Sequence, residues 1–541
     1  MSEDAQESLV RTSAVMATGT LASRVLGVVR ASMLTALLGV SGALGYDAFS
    51  TANTVPTTIY NLVAGGLLNA VLVPQIVRAA KHEDGGEDYL NRLLTLALAG
   101  MLAVTALVVA LSPLVPVVFA SSRWDDSTVR LCVAFAFWCM PQVFFYGAYT
   151  MLGQVLNARG NFGPYMWAPV LNNVVAIAGI GVLLVSIGGA GHHPRPPSEW
   201  TAGQIAMLGG TATLGVAVQA AILVWPLREL GIRYRPRFGW RGVGLRTAGR
   251  VAGWTFLAAL VGQLGFIVIS RVVTSAVVQG GAGRGAYDNA FLLFMLPHSL
   301  ITVSLVTALF TRMSRAAAAG DRDHVRRDVS LGLRLTGVAT VLATGVVFVL
   351  GLDISSTLFA GNAARDTDAI AYTTMGMIIG VVPFSAQYLF QRAFYAYEDA
   401  RTPFLIQIPV VLTSSAGAIV ALETLRPRWI VVGVGVGMSV GYTIGALLSF
   451  LVLRRRIGGV EGRSILRTYA RLVLACLLAA VPALLVTRGL HHALGDSKPV
   501  GLLSLAVGGL VMLGAYLLAC RRMRVTEVDE LTGPILRRFG R

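Results

Sequence analysis

Long apolar stretches alternate with short polar or charged segments along almost the whole chain. A helix needs about 20 apolar residues to cross a bilayer core, and about fourteen stretches meet that requirement. Their approximate bounds are 13–38, 48–77, 93–119, 129–156, 165–188, 203–226, 251–278, 289–311, 331–359, 370–391, 404–423, 429–453, 470–487 and 500–520. The pattern predicts an all-α polytopic membrane protein with about 14 transmembrane helices and no separate soluble domain.

The composition agrees with this prediction. Of the 541 residues, 55% are hydrophobic and 13% are charged, whereas an ordinary soluble domain has roughly 25% charged residues. Two or three soluble domains, which the length alone would suggest, are excluded because so few charges could not cover their surfaces. The four cysteines all lie in apolar stretches, so we expect buried thiols rather than a metal site or a disulfide framework.

The net charge of +17 is explained mainly by topology. If the N-terminus is cytoplasmic, 32 of the 44 basic residues lie in inside segments and 9, including Arg284, lie in outside loops. Membrane proteins retain their basic residues on the cytoplasmic side, so both termini are predicted to be cytoplasmic. This distribution leaves little support for nucleic-acid binding. Three arginines, Arg24, Arg30 and Arg271, fall within the predicted spans.

The chain contains an internal repeat. Each copy has a Ser-Arg-Val triplet, a Tyr-Asp pair and a proline nine residues after the aspartate. The first copy is Ser23-Arg24-Val25, Tyr46-Asp47 and Pro56, and the second is Ser270-Arg271-Val272, Tyr287-Asp288 and Pro297. Looser matches pair Arg78 with Arg315, and the hairpin at 157–164 with the hairpin at 395–403.

Both copies begin inside, so the repeat predicts two parallel, pseudo-symmetric six-helix lobes around a central cavity. The predicted divisions are an N-terminal lobe at 1–247, a C-terminal lobe at 248–456, and two extra helices with a basic tail at 457–541.

An arginine near the middle of a bilayer costs several kcal/mol unless it faces protein or water, so these residues are functional candidates. Arg24 lies roughly 17 Å and Arg30 roughly 26 Å into the first predicted span. Their side chains diverge by about 120°, and both could reach one cavity, with Arg271 facing it from the other lobe. The guanidinium fork suits a phosphate or pyrophosphate.

A structural alternative is that the arginines form buried ion pairs, Arg30 with Asp47 and Arg271 with Asp288. The two interpretations are compatible, because an ion pair that opens when substrate enters is also a gate. The glycine-rich run at 433–437 resembles a phosphate loop, but within a span it is more typical of a helix-packing surface. No motif for ATP hydrolysis or metal binding was found, so no cofactor is expected.

Several segments resemble the MurJ (MviN) family of lipid II flippases, which belongs to the multidrug/oligosaccharidyl-lipid/polysaccharide exporter (MOP) superfamily. They are Ala22–Arg30, Tyr46–Phe49, Leu156–Phe162, Ala168–Asn172 and Phe394–Pro403. The resemblance implies translocation of the undecaprenyl-pyrophosphate-linked peptidoglycan precursor from the inner to the outer leaflet by alternating access. It further implies a bacterial cytoplasmic membrane, a role in cell-wall synthesis and transport without chemical catalysis.

The resemblance also suggests the site. Arg24 and Arg30 match the two first-helix arginines of the family's cationic cavity, and Ser23 and Asp47 match neighbouring functional positions. Arg271 is expected to supply a replacement for cations that this chain lacks.

The chain departs from the family pattern at a few positions. The chain has Ala31 where an acid is common, Thr57 where an asparagine is common, and Tyr60 and Leu292 where the family has arginines. Two of the four family cations are therefore absent.

Two other functions remain open at this point. One is export of a different lipid-linked oligosaccharide, which would share pyrophosphate recognition. The other is cation-coupled drug antiport, which would need intramembrane carboxylates that are scarce in this chain. The energy source is expected to be a coupling cation or the membrane potential. Expected partners are lipid II, membrane lipids and the peptidoglycan synthesis machinery.

Overall fold

A computed structural model describes residues 3–63, 87–189, 194–232, 234–237 and 249–530. Their regular secondary structure is helical. The first nine helices are α1 (Glu3–Leu38), α2 (Leu44–Val63), α3 (Glu87–Ala110), α4 (Leu114–Phe119), α5 (Asp126–Cys139), α6 (Gln142–Ala158), α7 (Gly163–Ile187), α8 (Ala202–Ala221) and α9 (Val224–Glu229). The others are α10 (Gly249–Val278), α11 (Arg284–Pro297), α12 (Val303–Ala318), α13 (Arg322–Leu358), α14 (Ala364–Ile378), α15 (Val381–Ala396), α16 (Arg401–Thr424), α17 (Ile430–Arg456), α18 (Gly462–Leu494) and α19 (Lys498–Arg522).

The predicted spans are confirmed as helices. Among the described residues, 12 helices are long and apolar enough to cross a membrane, or up to 13 if α14 and α15, bent by 48°, count as one span. The second predicted span begins in α2, and its remainder at 64–77 lies outside the described residues. The predicted cation at Arg78 and the basic tail from residue 531 also lie outside them.

The helix ends carry local signals. Gly39 follows α1 with φ of 82°, a conformation that costs glycine little, and its N–H donates to the Thr35 carbonyl oxygen. Thr201 and Gln204 form a reciprocal capping box at the start of α8. Asp321 accepts a hydrogen bond from the His324 N–H at the start of α13, at 2.9 Å.

The chain divides into two compact units, Met1–Gln263 and Leu264–Arg541. The division falls within α10, and the lobe boundaries proposed from the repeat stay a prediction. In unit 1, α7 packs between α1 and α8, while α2 packs against α5. Its core contains Phe49, which meets Phe135 edge to face with ring centroids 5.2 Å apart. In a bilayer such contacts stabilise the unit through van der Waals packing and ring geometry, because lipid is as apolar as the helix faces.

In unit 2, α16 packs against α17, and α18 and α19 pack against each other and against α13. A Cβ placed on Gly417 of α16 would lie only 2.7 Å from the Gly437 Cα of α17, so α16 and α17 touch through their backbones. The interpretation of the 433–437 glycines as a packing surface is therefore confirmed. The prediction that the cysteines are buried is confirmed as well.

One predicted span boundary is wrong, whereas the side of the membrane stays a prediction. Arg284 is predicted to lie in a loop, yet it is the first residue of α11 and its side chain is only 2% exposed. The glycines around Arg284 in the sequence are typical of a loop. The helix starts earlier because Asp288, one turn further on, faces Arg284 and compensates its charge.

Candidate functional site

The two arginines of the first span lie on one continuous helix. Both lie in the apolar segment Thr18–Leu38, with Arg30 about 9 Å further along the helix than Arg24. Arg24 and Arg30 are both half-buried. Two cations on one apolar span therefore need neighbours that accommodate their charge.

Ser23, next to Arg24, is held by α7. Asn173 Nδ2 donates to the Ser23 carbonyl oxygen at 2.9 Å and lies 3.4 Å from its Oγ. The neighbouring Asn172 donates instead to Gln219 Oε1 on α8, at 3.0 Å. Sequence analysis missed Asn173, although two adjacent asparagines in an apolar span are a usable signal, because buried amides need partners.

Arg30 points into unit 1. With Leu34, Phe49 and Ile180 among its neighbours, it lines a cavity of about 10 Å³, roughly the space of one water molecule. Gly27, between the two arginines, has an open side, since a Cβ there would meet no atom within 4 Å among the described residues.

Asp47, the acid of the first repeat copy, lies in the first turn of α2 and is fully buried. Its backbone N–H donates to the Ala43 carbonyl oxygen at 3.1 Å. An acidic side chain at this position is favourable, because the N-terminus of a helix carries partial positive charge. The alternative pairing of Asp47 with Arg30 stays a prediction.

In unit 2, the acid of the second repeat copy has a partner that the sequence did not suggest. Asp288 Oδ1 lies 3.5 Å from Arg284 Nη2, and Arg284 Nη1 donates to Ser270 Oγ at 2.8 Å. The Arg284 guanidinium also lies 5.5 Å from the centre of the Phe266 ring. Arg284 thus connects α10 with α11, and Ser270 is the serine that precedes the half-buried Arg271.

Both triplet serines accept hydrogen bonds, although the donors lie on helices that do not correspond in the repeat. The serine of each Ser-Arg-Val triplet receives a hydrogen bond from a buried side chain on another helix, Asn173 in unit 1 and Arg284 in unit 2. Each contact restrains the backbone or side chain immediately before a half-buried arginine. The looser matches are helix-turn-helix hairpins in both copies, at 158–163 and at 396–401.

One position where the family pattern has an arginine is filled by a packed side chain. The Tyr60 hydroxyl is hydrogen-bonded to Thr150 Oγ1, and its ring lies 5.6 Å from that of Tyr146. Tyr60 therefore stabilises contacts within unit 1, and its side chain carries no positive charge. The predicted grouping of Ser23, Arg24, Arg30, Asp47 and Arg271 as one binding site stays a prediction.

Comparison with solved structures supports the fold. The chain is similar to a structure described as lipid II flippase MurJ in an inward closed conformation, with a TM-score of 0.70 and 19% identity. That match covers 94% of this chain and 99% of the other. An inward-facing multidrug resistance MATE family transporter of the MOP superfamily matches with a TM-score of 0.65 and 15% identity, over 80% of this chain and 94% of the other.

Sequence relatives point the same way. The lipid II flippase MurJ of Burkholderia cenocepacia is 27% identical over 470 residues, covering 85% of this chain and 87% of the relative. A probable lipid II flippase MurJ of Rhizobium meliloti is 25% identical over 523 residues, covering 93% and 91%. The family described as lipid II flippase MurJ matches residues 34–500, a stretch that includes Asp47 and Arg271 and begins after Arg30. The chain belongs to the MurJ family of lipid II flippases.

Proposed function

We propose that this protein moves lipid II from the inner to the outer leaflet of a bacterial cytoplasmic membrane by alternating access, without chemical catalysis. The observation that carries the proposal is the pair of half-buried arginines, Arg24 and Arg30, within the apolar part of α1. Keeping two cations there is costly, and a pyrophosphate would offset that cost through bidentate contacts.

Arg271 is the third cation in this proposal. It occupies the same place in its Ser-Arg-Val triplet as Arg24, and the preceding Ser270 is anchored by Arg284. We infer that it replaces part of the charge lost at Tyr60 and Leu292. Both termini are cytoplasmic in this scheme, in accordance with the distribution of basic residues. The energy comes from a coupling cation or the membrane potential, and the surrounding lipids and peptidoglycan synthases are the partners.

The proposal is tested by depleting the protein in cells and measuring how much lipid II an externally added probe can reach. We expect precursor to accumulate in the inner leaflet. Unchanged distribution of lipid II would contradict the proposal, and accumulation of another lipid-linked oligosaccharide would favour export of that substrate. Drug antiport is tested as a control. The depleted cells should take up a cationic drug to the same extent as the parent cells.

Arg24→Ala and Arg30→Ala are each expected to lower flipping about tenfold or more, since hydrogen bonds to a charged group contribute roughly 1.5–3 kcal/mol each. Arg123→Ala, in an exposed segment, is the matched control and should flip normally. If Arg271→Ala left flipping and viability intact while Arg24→Ala abolished both, the role assigned to Arg271 would be wrong.

A further inference from the structure

Two interrupted spans of unit 2 meet at one polar contact. The first follows α11 to Pro297, makes a π-helical turn over His298–Thr302, and continues as α12. The second is the α14 and α15 pair, bent by 48°. Interruptions of this kind in membrane helices leave backbone groups available and occur frequently at functional sites.

The contact is made by His298 of the π-helical turn and Ser385 of α15. His298 Nδ1 lies 3.0 Å from Ser385 Oγ, and the Thr302 hydroxyl donates to the same oxygen at 3.2 Å. All three residues are at most 2% exposed. Because Ser385 Oγ accepts from Thr302, its own proton is available for Nδ1. This assignment gives a neutral ring with its proton on Nε2.

The ring of His298 is also surrounded by aromatic side chains. The Phe384 and Tyr388 rings lie 4.5 Å and 5.2 Å from it, between centroids. These contacts are tilted and edge to face, with interplanar angles of 52° and 83°, so two aromatic side chains enclose the imidazole.

The charged and titratable groups around the ring are few. Arg392 donates to the Tyr388 hydroxyl at 2.9 Å, with its guanidinium 5.0 Å from that ring. The ring of Tyr442, on α17, lies 4.7 Å from the ring of Phe384, between centroids. No carboxylate forms a hydrogen bond or ion pair with the His298 ring within the part of the chain that the structure describes, so a proton on His298 would add a charge that no ion pair neutralises.

We propose that His298 is a proton-binding site that couples proton uptake and release to the conformational cycle of unit 2. The inference rests on the proposed transport function and names its coupling ion. His298 lies near the middle of the span, about 21 Å along the helix from Arg284. An ionisable side chain is costly to place at that depth in a membrane, so it is a functional candidate. Histidine in particular changes charge in the physiological pH range.

Protonation of His298 reverses the direction of its hydrogen bond with Ser385. Once Nδ1 carries a proton it donates to Ser385 Oγ, and the Ser385 hydroxyl proton loses its acceptor and must turn away. The contact between the π-helical turn and α15 then rearranges. A buried cation is costly, so proton uptake favours conformations in which the ring reaches water over the one described.

The test uses the full chain in proteoliposomes containing lipid II, assayed at about pH 5.5 and about pH 8. We expect the flipping rate to differ on the order of fivefold between the two values, a typical coupling between linked sites. His298→Gln, which can still hydrogen-bond but cannot be protonated, should lose that difference. The matched control is His324→Gln, because His324 has a 41% exposed side chain at the start of α13.

A second measurement is independent of transport. Nitrogen NMR of histidine-labelled protein, compared with His298→Gln, isolates the His298 signals. We expect them to change with pH, and Ser385→Ala to shift the midpoint of that change while the protein stays folded. An invariant His298 signal, or the same pH difference in His298→Gln as in the wild type, would overturn the inference. A His298 signal that titrates in a protein that flips no lipid II would instead count against the proposed function.

Discussion

Asn173 Nδ2 lies 2.9 Å from the carbonyl oxygen of Ser23, so a side chain of α7 restrains α1 one residue before Arg24. The two residues are 150 positions apart in the chain. Asn173 is buried, so its amide needs a partner and finds one in the Ser23 carbonyl oxygen. Asn173 is therefore a positioning residue for the first cation of the candidate site.

Asn173→Leu should lower the flipping rate more than it lowers stability. Removing the amide costs about 1 kcal/mol of hydrogen bonding, while loss of the restraint at Ser23 changes where Arg24 lies. The measurement compares flipping in proteoliposomes with thermal unfolding. Asn172→Leu, which removes the bond to Gln219, is the control. Equal losses of flipping in the two variants would contradict a special role for Asn173.

Arg284→Ala should destabilise unit 2 by about 3 kcal/mol, because removing one member of a buried ion pair leaves the other charge without compensation. Arg284→Lys should restore little of this, since one ammonium cannot reproduce the contacts to Asp288, Ser270 and Phe266 together. Thermal unfolding in detergent measures both.

The control for Arg284 is Arg315→Ala, an exposed arginine that bonds only within its own helix turn in the described contacts. It should change stability by about 0.5 kcal/mol at most. A similar small effect of Arg284→Ala would mean that the buried guanidinium contributes nothing to the packing of α10 and α11.

Asp399 should make stability depend on acid pH. Burial raises the pKa of its carboxyl, but hydrogen bonds from Thr402 and the ion pair with Arg456 outweigh burial, so the pKa lies below its usual value. For an acid with a lowered pKa, the stabilisation is complete above about pH 4 and is lost as the pH falls through the folded-state value.

Asp399→Asn should therefore lower the unfolding free energy by about 1–2 kcal/mol at neutral pH, because it loses the ion pair and weakens the contact with the first turn of α16. Unfolding measured from pH 7 down to pH 3 should converge for the variant and the wild type. Asp323→Asn is the control, since that carboxyl is 72% exposed and its pair contributes little. Parallel curves for Asp399→Asn and the wild type would contradict the assignment.

Gly417→Ala should destabilise unit 2 by about 1–3 kcal/mol, because the added Cβ meets the Gly437 backbone and the helices must separate. Gly514→Ala is a matched test on α19, where a Cβ has open space among the described residues. That substitution should be neutral or stabilising by up to about 1 kcal/mol. Thermal unfolding of the two variants side by side decides between packing and helix propensity.

The sequence by itself determined the helices, their approximate number, and the presence of Arg24, Arg30 and Arg271 within them. Apolar runs of this length form helices in a membrane because every backbone hydrogen bond must be satisfied inside the segment, which is a local requirement. The glycine run at 433–437 was interpretable for the same reason, since small residues on a span permit close approach of any neighbouring helix.

Only the tertiary structure decided which side chains meet. Ser23 with Asn173, Ser270 with Arg284, Asp399 with Arg456, and His298 with Ser385 are joined across helices. Such partners depend on the rotation and depth of each helix against another, which no local pattern specifies. Arg284 illustrates the limit, because its glycine-rich surroundings indicate a loop, whereas the compensation of its charge by Asp288 and Ser270 keeps it buried within unit 2.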